Sequence, residues 1–371
     1  MKKTIVVSAI NFTSGGPLSI LKESLAELSQ NFAANYRVIA LVNSKELLSF
    51  DNIELIAFPY SKKSWLIRMY YEYIYFYFLS IKLKPDFWVS LHDMSPNVKC
   101  KNRFVYCHNP SPFYESKKTD WYKNTKAYLF SKFYKYLYGI NIKKNTYVIV
   151  QQSWLRDYFI SNWSLSNVIV AYPHVVINSL DKDQYQIGVD TSNKPLEFFY
   201  PSFPRPFKNF EIICEAYSLM SEGYRNQIKV YLTLNLELNS YATEIVNKYK
   251  HLPGIVFLGL LSRDEVENYY TKADCLIFSS KLETWGLPIT EFKSTGKPIL
   301  LANLPYAKET LGNYDKVSFF DINNPEELKS KMIGILENQP IFVKNRKVDV
   351  RQPFTEGWPE LFNLILENEN R

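Results

Sequence analysis

Short apolar runs, often β-branched, alternate along the chain with longer stretches in which apolar residues recur every three or four positions. The first pattern predicts buried β-strands and the second predicts amphipathic helices. Strand patterns lie at residues 4–10, 36–42, 53–58, 87–91, 104–107, 147–151 and 168–172, and then at 197–200, 228–234, 255–258, 274–278, 299–302 and 317–319. Because helical patterns separate most of these runs, we expect a parallel sheet in each half of the chain.

The helical patterns lie at residues 18–32, 210–220, 240–250, 262–272, 307–311, 325–336 and 354–367. Residues 178–194 have no periodicity and contain Asn, Ser, Asp and Gly, so we interpret them as a linker. A chain of 371 residues is also long for one domain. The sequence therefore predicts an α/β protein with domains at 1–177 and 178–352, followed by a terminal helical segment, 353–371.

Composition excludes several classes of protein. Hydrophobic residues make up 46% of the chain and charged residues 22%, so it is not intrinsically disordered. The four cysteines have no metal-ligand spacing, which favours a reducing compartment. No signal-peptide pattern follows the first strand run. Residues 1–172 hold 22 basic against 11 acidic residues and the remainder 22 against 26, which predicts different partners for the two halves.

Two aromatic stretches bear on membrane contact. Residues 62–84 approach the length of a membrane span, but Arg68 and Glu72 make spanning costly, so a buried or interfacial helix is expected. Residues 117–144 contain eight Lys, one Asp and many aromatics. That composition is typical of helices on anionic membranes, of RNA-binding segments, and of ordinary solvated helices whose aromatic residues lie in the core.

The stretch 279–298 combines a phosphate-binding turn with two carboxylates. It follows a predicted strand, and Pro288 suits the first turn of a helix. The backbone amides of Gly286 and Leu287 would then face a ligand at the positive end of the helix dipole. Glu283 and Glu291 flank the turn, and carboxylates accept hydrogen bonds from sugar hydroxyls. The combination predicts a nucleotide-sugar pocket.

Other candidate residues also follow predicted strands. They are Gly15, Gly16, His108, Arg205 and Lys208. Because ligands bind beyond the carboxyl ends of parallel strands, all of them could line one cleft between two domains. Arg205 and Lys208 would neutralise a diphosphate. The Gly15-Gly16 turn lacks the Gly-x-Gly-x-x-Gly pattern, so NAD or FAD binding is disfavoured.

The second half resembles the retaining glycosyltransferases of the GT-B fold, in the large family numbered four. The matching motifs are Pro-Ser-Phe-Pro-Arg-Pro-Phe-Lys-Asn at 201–209, Val-Phe-Leu-Gly at 256–259, residues 274–279, and the paired glutamates around Gly-Leu-Pro. The first half resembles the family more weakly, through Gly15-Gly16 and residues 104–110. The resemblance implies two Rossmann-like domains facing a cleft, with the terminal helix crossing back to the first domain.

The resemblance also implies roles for individual residues. Glu283 would contact the donor sugar, and Glu291 the ribose. Arg205, Lys208 and the amides of Gly286 and Leu287 would hold the diphosphate, and His108 would lie near the sugar and the acceptor. Thr284 and Trp285 would line the donor pocket. Trp285 and Ser279 depart from the usual family pattern, which leaves the donor open, and His92 competes with His108 for the histidine role.

The implied reaction is transfer with retention, in which the leaving diphosphate helps to take the acceptor's proton. No metal or cofactor is expected beyond the nucleotide sugar itself. The acceptor would be a glycan or a polyprenyl-diphosphate-linked sugar of bacterial O-antigen, capsule or lipopolysaccharide assembly. The enzyme would work in the cytoplasm, at the inner face of an anionic membrane. A GT-B epimerase or phosphorylase is the alternative, and a nucleic-acid-binding protein acting through 117–144 is a remote one, with no nucleic acid expected as partner.

Overall fold

The computed structural model describes residues 2–110, 113, 134, 136–174 and 194–367. These residues divide into two compact units. The first holds the residues up to His174 and those from Val350 onward, and the second holds the residues from 194 to Asp349. The predicted linker at 178–194, apart from its last residue, and most of the basic aromatic segment at 117–144 lie outside the described residues.

The first unit is built on one parallel sheet of eight strands. Its strands are β1 (Lys3–Ala9), β2 (Tyr36–Val42), β3 (Ile53–Ala57), β4 (Phe87–Ser90), β5 (Asn102–Cys107), β6 (Tyr147–Val150), β7 (Val168–Tyr172) and β15 (Phe354–Glu356). Along the sheet they lie in the order β15, β7, β6, β5, β4, β1, β2, β3. The prediction of a parallel sheet is confirmed here, because all seven strand pairs are parallel. The inner strands β1, β4 and β6 are buried on both faces.

The second unit has a seven-stranded sheet. Its strands are β8 (Leu196–Tyr200), β9 (Ile228–Leu232), β10 (Ile255–Phe257), β11 (Cys275–Phe278), β12 (Ile299–Ala302), β13 (Tyr314–Phe320) and β14 (Val343–Asn345). They lie in the order β10, β9, β8, β11, β12, β13, β14. All pairs are parallel except β13 with β14. The short edge strand β14 was not predicted, since its exposed Val-Lys-Asn sequence has no apolar periodicity.

Helices cover the faces of both sheets. They are α1 (Gly15–Glu27), α2 (Trp65–Tyr70), α3 (Phe76–Leu83), α4 (Ser153–Trp163), α5 (Phe210–Ser218), α6 (Glu222–Arg225), α7 (Ser240–Tyr249), α8 (Arg263–Lys272), α9 (Leu287–Lys293), α10 (Pro305–Leu311), α11 (Pro325–Leu336) and α12 (Gly357–Glu367). Two π-helical turns, Leu28–Phe32 and Tyr71–Tyr75, continue α1 and join α2 to α3. Among the residues that the structure describes, no helix is both long enough and apolar enough to span a bilayer.

The C-terminal segment belongs to the first unit. The first three residues of the helix predicted at 354–367 instead form β15, which pairs with β7. This pairing brings the centre of the Phe354 ring to 4.8 Å from that of Tyr172. The helix begins only at Gly357, whose φ of +76° interrupts helical geometry. Along α12, the side chains of Trp358, Leu361, Phe362, Ile365 and Leu366 enter the same core as those of β1. The C-terminal residues therefore return to the first unit, where β15 adds an edge strand to the sheet and α12 packs into the core.

Candidate functional site

The loop after β8 holds Lys208 by its backbone. Pro206 opens a 3-10 turn that ends at Lys208. The Lys208 carbonyl accepts a hydrogen bond from the hydroxyl of Tyr200 at 2.8 Å and from that of Ser279 at 3.1 Å. These donors belong to β8 and to the loop after β11, and the two strands are neighbours. Lys208 is thus tied to both strands at the carboxyl edge of the sheet.

The loop after β11 is attached to the same turn. The backbone N–H of Lys281 donates to the Phe207 carbonyl at 2.7 Å, and the Ser280 hydroxyl donates to that carbonyl at 3.3 Å. From the opposite side, the Tyr306 hydroxyl donates to the Ser280 carbonyl at 2.6 Å. The two loops therefore form one hydrogen-bonded assembly, which fixes where their side chains point.

Lys208 and Glu283 form an ion pair at the centre of this assembly. Lys208 Nζ lies 2.5 Å from Glu283 Oε1, and both side chains are largely buried. Burial, followed by the charge of Glu283, raises the pKa of Tyr200 and Tyr306 well above the usual range. Both phenols therefore remain neutral donors to the backbone. The pair is electrically balanced, yet the ammonium keeps two further N–H donors and the carboxylate a second oxygen.

Gly286 forms the turn between Glu283 and α9. Its φ is +94°, and α9 begins at the next residue with Pro288 in its first turn. A β-carbon at this position would lie 3.1 Å from Ile289 Cδ1 and 3.7 Å from Glu283 Cγ. The turn therefore needs glycine both for its backbone conformation and for its tight packing.

We expect Gly286→Ala to lower transfer and donor affinity, because the added methyl group displaces the turn beside Glu283. Gly296→Ala is the matched control: its φ is also positive, at +68°, but no atom lies within 4 Å of an added β-carbon. Both variants should lose about 1–2 kcal/mol of unfolding free energy to backbone strain, measured by urea denaturation. Equal losses of donor affinity in the two variants would contradict a role for the Gly286 turn.

Glu291 lies on α9 and contacts α8. Its Oε1 accepts from Arg263 Nη1 and its Oε2 from the Tyr270 hydroxyl, each at 2.7 Å. Burial, followed by the charge of Glu291, raises the pKa of Tyr270 well above its ordinary value, so the hydroxyl stays a donor. Neither partner was predicted. The sequence signal for these contacts was spacing on one helix face. Along α8, four residues separate Arg263 from Glu267 and three separate Glu267 from Tyr270.

The remaining predicted residues of the second unit differ in setting. The Trp285 side chain is buried, with its indole N–H donating to the Thr290 hydroxyl at 3.1 Å, and its carbonyl accepts from the Thr310 hydroxyl. Thr284 is buried as well. Arg205 is exposed, with its guanidinium 5.6 Å from the centre of the Phe203 ring. Leu287, the first residue of α9, is exposed. The structure thus brings Lys208, Glu283 and Gly286 together, and leaves Arg205 at the surface of the same loop.

In the first unit, Gly15 and Gly16 follow β1 but belong to the first turn of α1. That helix starts at Gly15, three residues earlier than predicted, and Ser14 provides the extended residue before it. No atom lies within 4 Å of a β-carbon built at either glycine, so their surface is open to a ligand.

The two competing histidines have different environments. The His92 side chain is fully buried, 3.1 Å from both the Ser8 hydroxyl and the carboxylate of Glu72. His108 is only half-buried, and its ring packs edge-on against Phe12. Asp93 Oδ1 accepts the backbone N–H of His108 at 2.8 Å, which orients the loop after β5. Exposure therefore favours His108 as the residue that can meet a substrate.

Among the residues that the structure describes, no group of three or more His, Cys, Asp or Glu side chains is placed to hold a metal ion. All four cysteines are free thiols, and three of them are buried.

Known proteins resemble this chain in sequence and in structure. Residues 183–349 match the family model of the glycosyl transferases group 1. Over 259 residues the chain is 20% identical to the O-antigen chain mannosyltransferase RfbU of Salmonella typhimurium, covering 68% of this chain and 67% of RfbU.

Solved structures resemble the whole chain. A glycosyltransferase from Rickettsia africae aligns with a TM-score of 0.63 and 16% identity, over 91% of this chain and 88% of that one. WaaG, a glycosyltransferase involved in lipopolysaccharide biosynthesis, aligns with a TM-score of 0.61 and 13% identity, over 90% and 92%. Anabaena HepE, solved with UDP-glucose, aligns with a TM-score of 0.56 and 14% identity, over 90% of each chain. The chain therefore has the GT-B fold of these solved structures, and its residues 183–349 are similar to the glycosyl transferases group 1.

Proposed function

We propose that the protein is a retaining glycosyltransferase of family four that transfers a sugar from a nucleotide-diphosphate sugar to a glycan or polyprenyl-diphosphate-linked acceptor. The observation that carries the proposal is the Lys208–Glu283 ion pair, held by two loops at the carboxyl edge of neighbouring strands. Parallel α/β sheets bind ligands at this edge. A cation for phosphate and a carboxylate for sugar hydroxyls lie side by side there.

The pair suits the chemistry of the leaving group. Lys208 can keep one N–H on Glu283 and donate the others to diphosphate oxygens. As the bond between the sugar C1 and the diphosphate oxygen breaks, negative charge grows on the diphosphate, and a nearby cation in a largely buried setting stabilises that charge. Arg205 and the amides of Gly286 and Leu287 supply further donors in this proposal.

Retention follows if the acceptor hydroxyl attacks C1 from the face that the diphosphate leaves. The new C1–oxygen bond forms as the old one breaks, and the acceptor's proton passes to the departing diphosphate. Glu283 holds donor-sugar hydroxyls through its second oxygen, and Glu291 holds the ribose. Thr284 and Trp285 line the donor pocket in the second unit, and His108 and the Gly15-Gly16 turn are the candidate substrate-binding residues of the first unit.

The biological setting is also proposed. RfbU is named as an O-antigen chain mannosyltransferase and WaaG as a lipopolysaccharide enzyme. Both support an acceptor in bacterial surface-polysaccharide assembly, made in the cytoplasm at the inner face of the membrane. A hydrophobic carrier would keep the acceptor at the lipid surface.

A thermal-shift screen of UDP-, GDP-, dTDP- and ADP-sugars tests the donor class. A donor at 100 times its Kd stabilises the folded protein by about 2.7 kcal/mol, so one base should raise the unfolding temperature clearly. The matching nucleoside monophosphate should give a smaller shift, because it lacks the second phosphate for Lys208. If none of the nucleotide sugars shifts the unfolding temperature, the proposal fails.

A further inference from the structure

The helical segment 65–83, which comprises α2, the π-helical turn and α3, buries polar residues on its inner side. Every fourth residue faces the sheet: Arg68, Glu72, Phe76 and Ser80 are all buried. A spacing of four drifts by about 40° per step on an ideal α-helix. The wider π-helical turn at Tyr71–Tyr75 reduces that drift. The Arg68 side chain and the carboxyl group of Glu72 therefore point into the protein along one stripe.

The buried polar groups have specific contacts. Arg68 Nη2 donates to the His92 carbonyl at 3.1 Å, and Glu72 Oε1 lies 3.1 Å from His92 Nε2. Burial raises the pKa of Glu72 to about 8, so its carboxyl group is largely protonated at neutral pH. The Ser80 hydroxyl accepts the backbone N–H of Lys99 at 2.8 Å. These contacts anchor the segment on the loop that follows β4. Apolar packing adds to them, because Phe76, with Tyr71, Leu79 and Leu83 packed against it, belongs to one core with side chains of β1 and β2.

The outward face is apolar over its full length. Eight large side chains on it are exposed: Trp65, Leu66, Tyr70, Ile74, Tyr75, Tyr77, Phe78 and Ile81. Helices on the surface of globular proteins place such residues inward. A contiguous exposed face of this kind marks an interaction surface.

The charges around this face are positive. Lys62 and Lys63 precede the segment, and Lys82 and Lys84 lie at its end, all exposed. Between residues 60 and 84 the sole acidic residue is Glu72, which is buried. Tyrosine and tryptophan prefer the boundary between lipid headgroups and acyl chains, where one end of the side chain is apolar and the other is hydrated. Basic residues at both ends complement anionic headgroups.

We propose that the outer face of the 65–83 segment docks in the plane of a bilayer that contains anionic lipids. The inference deepens the proposed function and rests on its lipid-linked acceptor. It identifies a membrane-binding surface within the described residues, apart from the segment 117–144. Through Arg68 the start of α2 contacts His92, and the next residue, Asp93, binds the backbone of His108. Docking therefore sets the carboxyl edge of the first sheet beside the lipid surface that presents the acceptor.

Vesicle flotation of the full chain tests the surface. Vesicles of phosphatidylcholine alone are compared with vesicles that also contain phosphatidylglycerol, whose headgroup is anionic and attracts basic segments. Wild type should float with the anionic vesicles at low salt and less at high salt. The variant Leu66→Ser/Ile74→Ser/Phe78→Ser should lose at least about tenfold in partitioning. Lys62→Gln/Lys63→Gln/Lys82→Gln/Lys84→Gln should lose the preference for anionic vesicles.

The second unit offers a matched control. Leu236→Ser/Leu260→Ser/Ile341→Ser removes side chains exposed by 49, 63 and 79%, against 52, 65 and 78% for Ile74, Phe78 and Leu66. This control should float like wild type. Failure of wild type to bind either vesicle, or equal loss in both triple variants, would overturn the proposal. A dimer in solution that is dissociated by the 65–83 triple variant and not by the control would also overturn the proposal. The exposed face would then bind a second copy of the chain.

Donor binding keeps the two proposals distinguishable. The thermal shift with nucleotide sugar needs no lipid, so it should be the same in the 65–83 triple variant as in wild type. A protein that binds its donor but no vesicle would retain the proposed function and lose the membrane surface.

Discussion

Lys208→Met should lower the rate of sugar transfer by about 10²- to 10³-fold, the usual effect of removing one preorganised donor from a developing negative charge. Lys208 Nζ lies 2.5 Å from Glu283 Oε1, and both side chains are largely buried. A water molecule in the place of the ammonium group would not supply its positive charge. The measurement is release of nucleoside diphosphate with saturating donor and acceptor. Donor affinity should fall less than the rate, because the charge to be stabilised is largest in the transition state.

The variant has a structural cost that needs its own control. Removing Lys208 leaves the buried carboxylate of Glu283 without its partner, and breaking a buried pair costs about 3–5 kcal/mol. Lys208→Met/Glu283→Gln removes both charges and should recover much of that stability. Transfer should remain abolished in the double variant. Recovery of transfer along with stability would mean that the pair only supports the fold.

Glu291→Gln should weaken donor binding by about 10- to 100-fold, the loss expected for a hydrogen bond to a charged acceptor, with a smaller effect on the catalytic rate. The carboxylate accepts from Arg263 and Tyr270 and still has acceptor capacity for the ribose hydroxyls. Titration calorimetry with the nucleoside diphosphate and its 2′,3′-dideoxy analogue measures the effect. Wild type should prefer the ribose form, and the variant should have lost that preference.

Tyr270→Phe is the control for packing, because it removes one bond to Glu291 and keeps the carboxylate. It should lower the unfolding temperature and preserve the preference for ribose. A Glu291→Gln protein that still discriminates against the dideoxy nucleotide would show that Glu291 only joins α8 to α9.

The elements that sequence reasoning located best are those with local signals. The structure confirms the strand at Val168–Tyr172 and the helix at Pro325–Leu336 with the predicted bounds, since β-branched runs and a helix-starting proline act within a few residues. The spacing of Ser262 and Glu265 is another local signal, typical of a capping box, and the structure shows this box at the start of α8. The edge strands β14 and β15 could not be predicted, because only pairing with a distant strand makes three residues a strand.

The candidate site divides in the same way. The motif around Glu283 identifies a turn, and the turn forms where expected. The contact between Lys208 and Glu283, 75 residues apart in sequence, depends on the adjacency of β8 and β11, which no local pattern encodes. The exposed apolar face of the 65–83 segment could not be predicted from local patterns either. Arg68 and Glu72 argue against a spanning helix in the sequence, but their inward direction follows from the packing beneath them.

We propose that sugar transfer from a nucleotide sugar depends on the Lys208–Glu283 pair. The most direct measurement is acceptor-dependent release of nucleoside diphosphate from the best-stabilising donor, with wild type and Lys208→Met/Glu283→Gln compared at equal folded concentration. We expect saturable release by wild type and at least about a 10²-fold lower rate for the double variant. Release at the wild-type rate by the double variant, or none by wild type from any donor, would contradict it.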